Sequence, residues 1–101
     1  MKVQIQAPFQ VSEPMQDLIN EKMEKVSQIF ERITKATVYL KDEVNRNNHK
    51  DSRHVQIELE VPGQRLFAED EAESFEQAIA SATDKIKRQV RDYKSQLLDH
   101  R

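Results

Sequence analysis

The chain begins with an alternation: Val3, Ile5 and Ala7 fall on one side and Lys2, Gln4 and Gln6 on the other, predicting a half-buried strand over residues 1–7. Pro8 then restricts the backbone beyond it. Ser12 stands as an N-cap, with Pro14 in the first turn and Glu13 and Asp17 at the positive end of a helix dipole. From there Met15, Leu18, Ile19, Met23, Val26, Phe30 and Ile33 recur at three and four residues, which predicts a helix to about Ile33. Period two returns over Thr34 to Lys41, with Ala36, Val38 and Leu40 on one face. Polar Asp42 to Arg53, holding Asn45, Asn47 and Asn48, reads as a mobile loop. Val55, Ile57, Leu59 and Val61 alternate with polar residues. Pro62-Gly63 makes a tight turn into a further strand, Gln64 to Glu69, whose register is open because Leu66 and Ala68 compete with Phe67 for the inner face. A final helix starts at Glu73 or Ser74 and carries Phe75, Ala78, Ile79, Ala82, Ile86, Val90, Tyr93 and Leu97 as one stripe. The order β-α-β-β-β-α predicts an α+β fold, a four-stranded sheet with two helices packed on one face and the other face wet.

Composition narrows this picture. The 101 residues suit one domain over residues 1–101, and 37% hydrophobic against 34% charged residues leaves a thin core under a solvated surface. With no cysteine there is neither a disulfide nor a thiolate metal site, which fits a reducing, cytoplasmic setting. No apolar run is long enough to enter a membrane. The net charge of -2 argues against non-specific attraction to a polyanion, but the charge is unevenly spread. Residues 58–76 hold seven acids against Arg65, whereas residues 84–101 hold six bases against three acids. Such a bipolar chain can orient an encounter with a nucleic acid through salt-sensitive contacts.

Those bases are periodic. Lys85 and Arg88 are spaced i, i+3, and Lys87, Arg91 and Lys94 are spaced i, i+4, i+7; both sets lie off the apolar stripe and make a basic ridge suited to RNA phosphates and sugar hydroxyls. Bases near a helix C-terminus also complement its dipole, and spacing alone leaves the two readings even. Lys22 and Lys25 could extend the ridge or simply pair with Glu21 and Glu24. Arg46, Lys50 and Arg53 make the long loop cationic, and Tyr39 could stack on a base or on a neighbouring side chain. No catalytic or metal signature gathers His49, His54 and His100, and the single glycine, Gly63, cannot build a phosphate-cradling loop.

Two stretches carry a resemblance. Val11-Ser12-Glu13, Lys22-x-x-Lys25-Val26, Phe30-Glu31-Arg32-Ile33 and Val38-Tyr39-Leu40-Lys41 form the first, and Ala78-Ile79 leading to Asp84-Lys85-Ile86-Lys87-Arg88-Gln89-Val90 the second and more specific. Over nearly its whole length the chain resembles the ribosome hibernation-promoting factor family, also called ribosome-associated inhibitor or sigma-54 modulation proteins. The resemblance implies a β-α-β-β-β-α domain that occupies the mRNA and tRNA channel of the small ribosomal subunit and silences translation in resting cells. It implies RNA-binding roles for Lys22, Lys25, Lys85, Lys87, Arg88, Arg91 and Lys94. The expected partner is the small subunit with its rRNA, reached by a monomer that needs no cofactor, metal, membrane or small-molecule substrate and is no enzyme. The chain resembles the short form, lacking the additional C-terminal domain of longer members, and Asp92, Gln96 and Asp99 stand where many members have more lysines. A competing reading is a protein–protein adaptor using the open sheet face or the acidic 69–76 segment.

Overall fold

The structure, a computed structural model, describes residues 1–45 and 50–99. The elements follow the order β1 (Lys2–Gln6), α1 (Glu13–Ile29), β2 (Lys35–Asn45), β3 (Lys50–Val61), β4 (Gln64–Ala72) and α2 (Phe75–Asp99). The strands form one sheet in the order β1-β2-β3-β4, with β1 parallel to β2 and both other pairings antiparallel. The α+β architecture read from the sequence is therefore the one formed.

Capping starts both helices. Ser12 accepts the Met15 amide at 3.4 Å, with Pro14 inside the first turn, and Ser74 accepts the Gln77 amide at 3.2 Å. Helix α1 stops at Ile29, short of the Ile33 that spacing predicts. Phe30 is already extended at φ -149 and ψ 114, because the chain must reverse here to lay β2 beside β1. Phe30 and Ile33 nevertheless remain buried, so the apolar spacing continues through a connector that is not helical.

The segment expected as a mobile loop from Asp42 to Arg53 is mostly strand. Residues 41–45 of β2 pair with residues 50–54 of β3, and Arg53 meets the directly opposed Asp42 at 2.8 Å. The mostly polar sequence of this stretch has no clear period of two, and backbone pairing joined by the opposed charges of Asp42 and Arg53 supplies the order instead. Arg46, Asn47, Asn48 and His49 lie outside the described residues, as do His100 and Arg101. Strand β4 likewise runs on to Ala72, so only residues 73 and 74 of the acidic 69–76 segment form the expected turn before α2. Its register is settled: Leu66 and Ala68 are buried and Phe67 points outward, 47% exposed. Gly63 takes φ +84 in the turn behind Pro62, a conformation that a Cβ disfavours.

The helices cover one sheet face. Ile19, Met23 and Val26 of α1 and Ala78, Ile79, Ala82, Ile86 and Val90 of α2 close over Val38, Val55, Ile57 and Leu59. Cutting Ile57 or Ile86 back to Ala would cost about 3 kcal/mol in transfer and cavity terms. Tyr93 pins three elements together, stacking edge-on to Phe30 at 5.4 Å and donating to the Pro62 carbonyl at 2.7 Å.

Candidate nucleic-acid interface

Strand directions orient the two helices. Each follows a strand of the same direction, β1 or β4, and packs back across the sheet, so α1 and α2 run alongside each other in the same sense. Contacts at both ends agree. Phe9, just before α1, lies 5.4 Å from Phe75 at the start of α2, and Phe30, just after α1, meets Tyr93 near the end of α2.

At 100° per residue α2 has two flanks beside its buried stripe, and they differ in what they touch. One flank carries Ser81, Lys85 and Gln89 along the outer edge of β4. The Ser81 hydroxyl donates to Asp70, the Gln89 amide donates to the Phe67 carbonyl, and Lys85 reaches Asp70 at 3.2 Å and the Glu69 carbonyl at 3.4 Å. A strand at the end of a sheet exposes unpaired backbone groups, and here the helix supplies partners for two of them. Asp70 is held below the usual carboxylate range by the Ser81 hydroxyl and the Glu71 amide, with Lys85 adding to the effect against partial burial.

The other flank carries Lys87, Arg91 and Lys94 and faces α1. Lys94 donates to the Ile29 carbonyl at 3.2 Å, giving the C-terminal end of α1 a cation that its own last turn lacks. Counting back by the helical rise from the Lys94–Ile29 contact puts Lys87 near the level of Lys22, and Arg91 near that of Lys25 and Val26. On α1, Lys22 and Lys25 lie on the same flank as Leu18 and Ile29, the side turned toward α2. The cleft between the helices is thus bordered by Lys22 and Lys25 on one wall and Lys87, Arg91 and Lys94 on the other.

The seven bases marked in the sequence therefore do not form one surface. Five border the cleft, Arg88 stands exposed at the crest of α2 toward β4, and Lys85 is turned away to the β4 edge. Among the described residues Lys22, Lys87, Arg88 and Arg91 make no hydrogen bond or ion pair; Arg88 and Arg91 are exposed, and Lys22 and Lys87 are half-buried. Lys25 meets Glu21 at 3.5 Å, but both side chains are more than half exposed, and such a pair contributes only a few tenths of a kcal/mol.

The open sheet face is differently charged. Tyr39 does not stand free for stacking: its hydroxyl donates to Glu58 at 3.2 Å, and burial of the phenol followed by the bond and charge of Glu58 pushes its pKa above the ordinary value. Arg65 bridges Glu58 at 3.2 Å and Glu60 at 3.8 Å, and His54 lies 3.3 Å from Glu69. Arg53, marked as part of a cationic loop, is taken up by Asp42 and sits over the Phe75 ring at 5.9 Å. Among the described residues no three His, Asp or Glu side chains gather as metal ligands, and no helix is long and apolar enough to cross a membrane.

Residues 3–98 match the family described as sigma 54 modulation protein / S30EA ribosomal protein. A ribosome hibernation promotion factor from Deinococcus radiodurans is 34% identical over 92 residues, 91% of this chain and 48% of that protein. A ribosome hibernation promoting factor from Pseudomonas putida is 32% identical over 85 residues, 84% of this chain and 78% of that protein. This chain thus spans about half the length of the first relative and most of the second. In three dimensions it is similar to a ribosomal subunit interface protein from Coxiella burnetii, with a TM-score of 0.80 at 17% identity over 94% of this chain and 99% of the other. The N-terminal domain of Thermus thermophilus Protein Y superposes with a TM-score of 0.77 at 18% identity, covering 92% and 99% of the two chains. At such identities these two likenesses speak to the fold.

Proposed function

The chain belongs to the sigma 54 modulation protein / S30EA ribosomal protein family, and from that membership we propose that it is a stoichiometric ribosome hibernation factor of the cytoplasm. In this reading it binds the small ribosomal subunit in the channel used by mRNA and tRNA, contacts rRNA through its two helices, and silences translation in resting or stressed cells. It makes and breaks no bond. The observation that carries the reading is the cleft, where cations from two separate helices converge on one solvent-facing surface and three of them, Lys22, Lys87 and Arg91, have no protein partner among the described residues. Phosphates are the natural counter-charge for such a surface, and rigid helices hold the cations at fixed spacing along a backbone. Arg88 extends the contact over the crest, whereas Lys85 serves it at most from the side. The acids of the β3–β4 half of the sheet set a charge difference against the helix side that orients the approach to RNA.

The test is co-sedimentation of purified small subunits with the wild type and with Lys87→Glu/Arg91→Glu. Binding that weakens as salt rises, and is lost in the double variant, is the expected result. Undiminished binding of the double variant would overturn the assignment of the cleft, and salt-independent binding would favour a protein–protein adaptor.

A further inference from the structure

Phe67 is the most exposed aromatic ring among the described residues, at 47%, and it stands on a sheet face that is otherwise polar. Nothing in the core calls for it there, since Leu66 and Ala68 fill the inner face of β4. Beside it a groove of about 500 Å³ wraps the β4 edge, with Gln56 and Glu69 on the sheet side and Lys85, Arg88, Gln89 and Asp92 on the α2 side. That volume lies within the range of about 300–1,000 Å³ common to small-ligand sites. The Gln89 amide, bonded to the Phe67 carbonyl, fixes the helix against the strand, so the groove is built on two regular elements.

Its chemistry is divided. Phe67 offers a flat apolar face, Glu69 and Asp92 offer acceptors, Lys85 is held by Asp70, and Arg88, unpaired among the described residues, offers a cation close to the helix crest. The carboxylates of Glu69 and Asp92 accept hydrogen bonds from an exocyclic amino group, while Arg88 suits the phosphate left outside. We propose that this groove receives one unpaired nucleobase of the RNA held by the helices, stacked on Phe67 with its amino edge toward Asp92 and Glu69 and its phosphate on Arg88. The inference rests on the ribosomal RNA reading above and adds to it a base-selective contact. Cytosine, adenine and guanine carry the required amino group; uracil does not.

The experiment pairs two chemical footprints on purified small subunits, one reporting backbone protection by hydroxyl radicals and one reporting base accessibility to dimethyl sulfate, for the wild type, Phe67→Ala and Phe67→Trp. Because Phe67 is outward-facing, Phe67→Ala should melt with the wild type. It should bind about tenfold more weakly, with an unchanged salt slope, since stacking and not phosphate neutralisation is lost. The backbone footprint should persist at saturating protein while a base protected by the wild type becomes reactive, and Phe67→Trp should restore that protection. Phe67→Ala binding within twofold of the wild type, with identical base reactivity, overturns the inference and leaves the cleft reading intact. Replacing Phe67 by the photoreactive p-benzoylphenylalanine gives a second check: cross-links to rRNA support the groove as a base site, and cross-links to a ribosomal protein alone overturn it. If the wild type gives no rRNA footprint at all, the cleft reading falls first and this one with it.

Discussion

The two flanks of α2 differ in composition and in what they touch: one, with Ser81, Lys85 and Gln89, is bound to its own sheet, and the other, with Lys87, Arg91 and Lys94, is turned toward α1. On the β4 side Ser81, Lys85 and Gln89 are engaged with Asp70, Glu69 and Phe67. On the α1 side Lys87 and Arg91 are unpartnered among the described residues and only Lys94 is tied down, to a helix terminus that leaves its charge uncancelled. A cation next to a carboxylate is already neutralised. A cation next to a carbonyl or to water still attracts phosphate. Availability for a partner is thus set by what stands across from each flank, and a count of lysines and arginines along the helix does not report it.

Charge reversal should separate the flanks most sharply. Lys87→Glu/Arg91→Glu is expected to weaken small-subunit binding by about a hundredfold or more and to reduce the salt slope by about two, with its thermal midpoint unchanged. On the other flank, Ser81→Ala should cost about 1 kcal/mol of folding stability in urea titrations, because it leaves Asp70 short of a donor, while subunit binding stays within a few-fold. A large binding defect with normal stability in that variant would erase the distinction.

Acid adds a smaller and more specific test. The Asp70 carboxyl is depressed in the folded state, so its contribution is fully present above its unfolded pKa, near 3.8, and is lost as pH falls through the folded value. The urea midpoint of the wild type should therefore drop more steeply than that of Asp70→Asn as pH falls below the unfolded value of 3.8. Equal slopes would mean that Asp70 is not stabilised by the α2 flank. The least effect is expected at Lys25→Ala, which removes an exposed pair with Glu21 and should shift stability by less than about 0.5 kcal/mol while still weakening subunit binding.

Where burial makes the pattern, the sequence was readable. The stripe from Phe75 to Tyr93 and the alternation from Val55 to Val61 mark core-facing positions directly, since a helix and a strand each repeat their inner face at a fixed period. Reading failed where order comes from something other than burial. The β2–β3 extension has a mostly polar sequence and is held by backbone pairing and the Asp42–Arg53 contact, which have no periodic signature. Phe30 and Ile33 kept helical spacing after the helix had ended, because the core needs apolar volume there whichever backbone delivers it. In the candidate site the bases themselves were visible, but not the division among them. Lys85 looked equivalent to Lys87, and only the position of Asp70, fifteen residues earlier in sequence and one strand over in space, removes it from the open surface. The groove at Phe67 was hidden by an ambiguous register: a ring that could have been core says nothing about a partner until its face is known.

The single parallel pairing, β1 with β2, bears on the order of assembly. Strands β2, β3 and β4 join through consecutive hairpin connections, which close small loops and can pair early. Strand β1 finds β2 only across α1, so its five residues wait for a helix to be laid over the sheet before their ladder closes. During synthesis the first strand to be made is then the last to be locked in, and amide protons of β1 should exchange before those of β2 and β3, the two strands with neighbours on both sides.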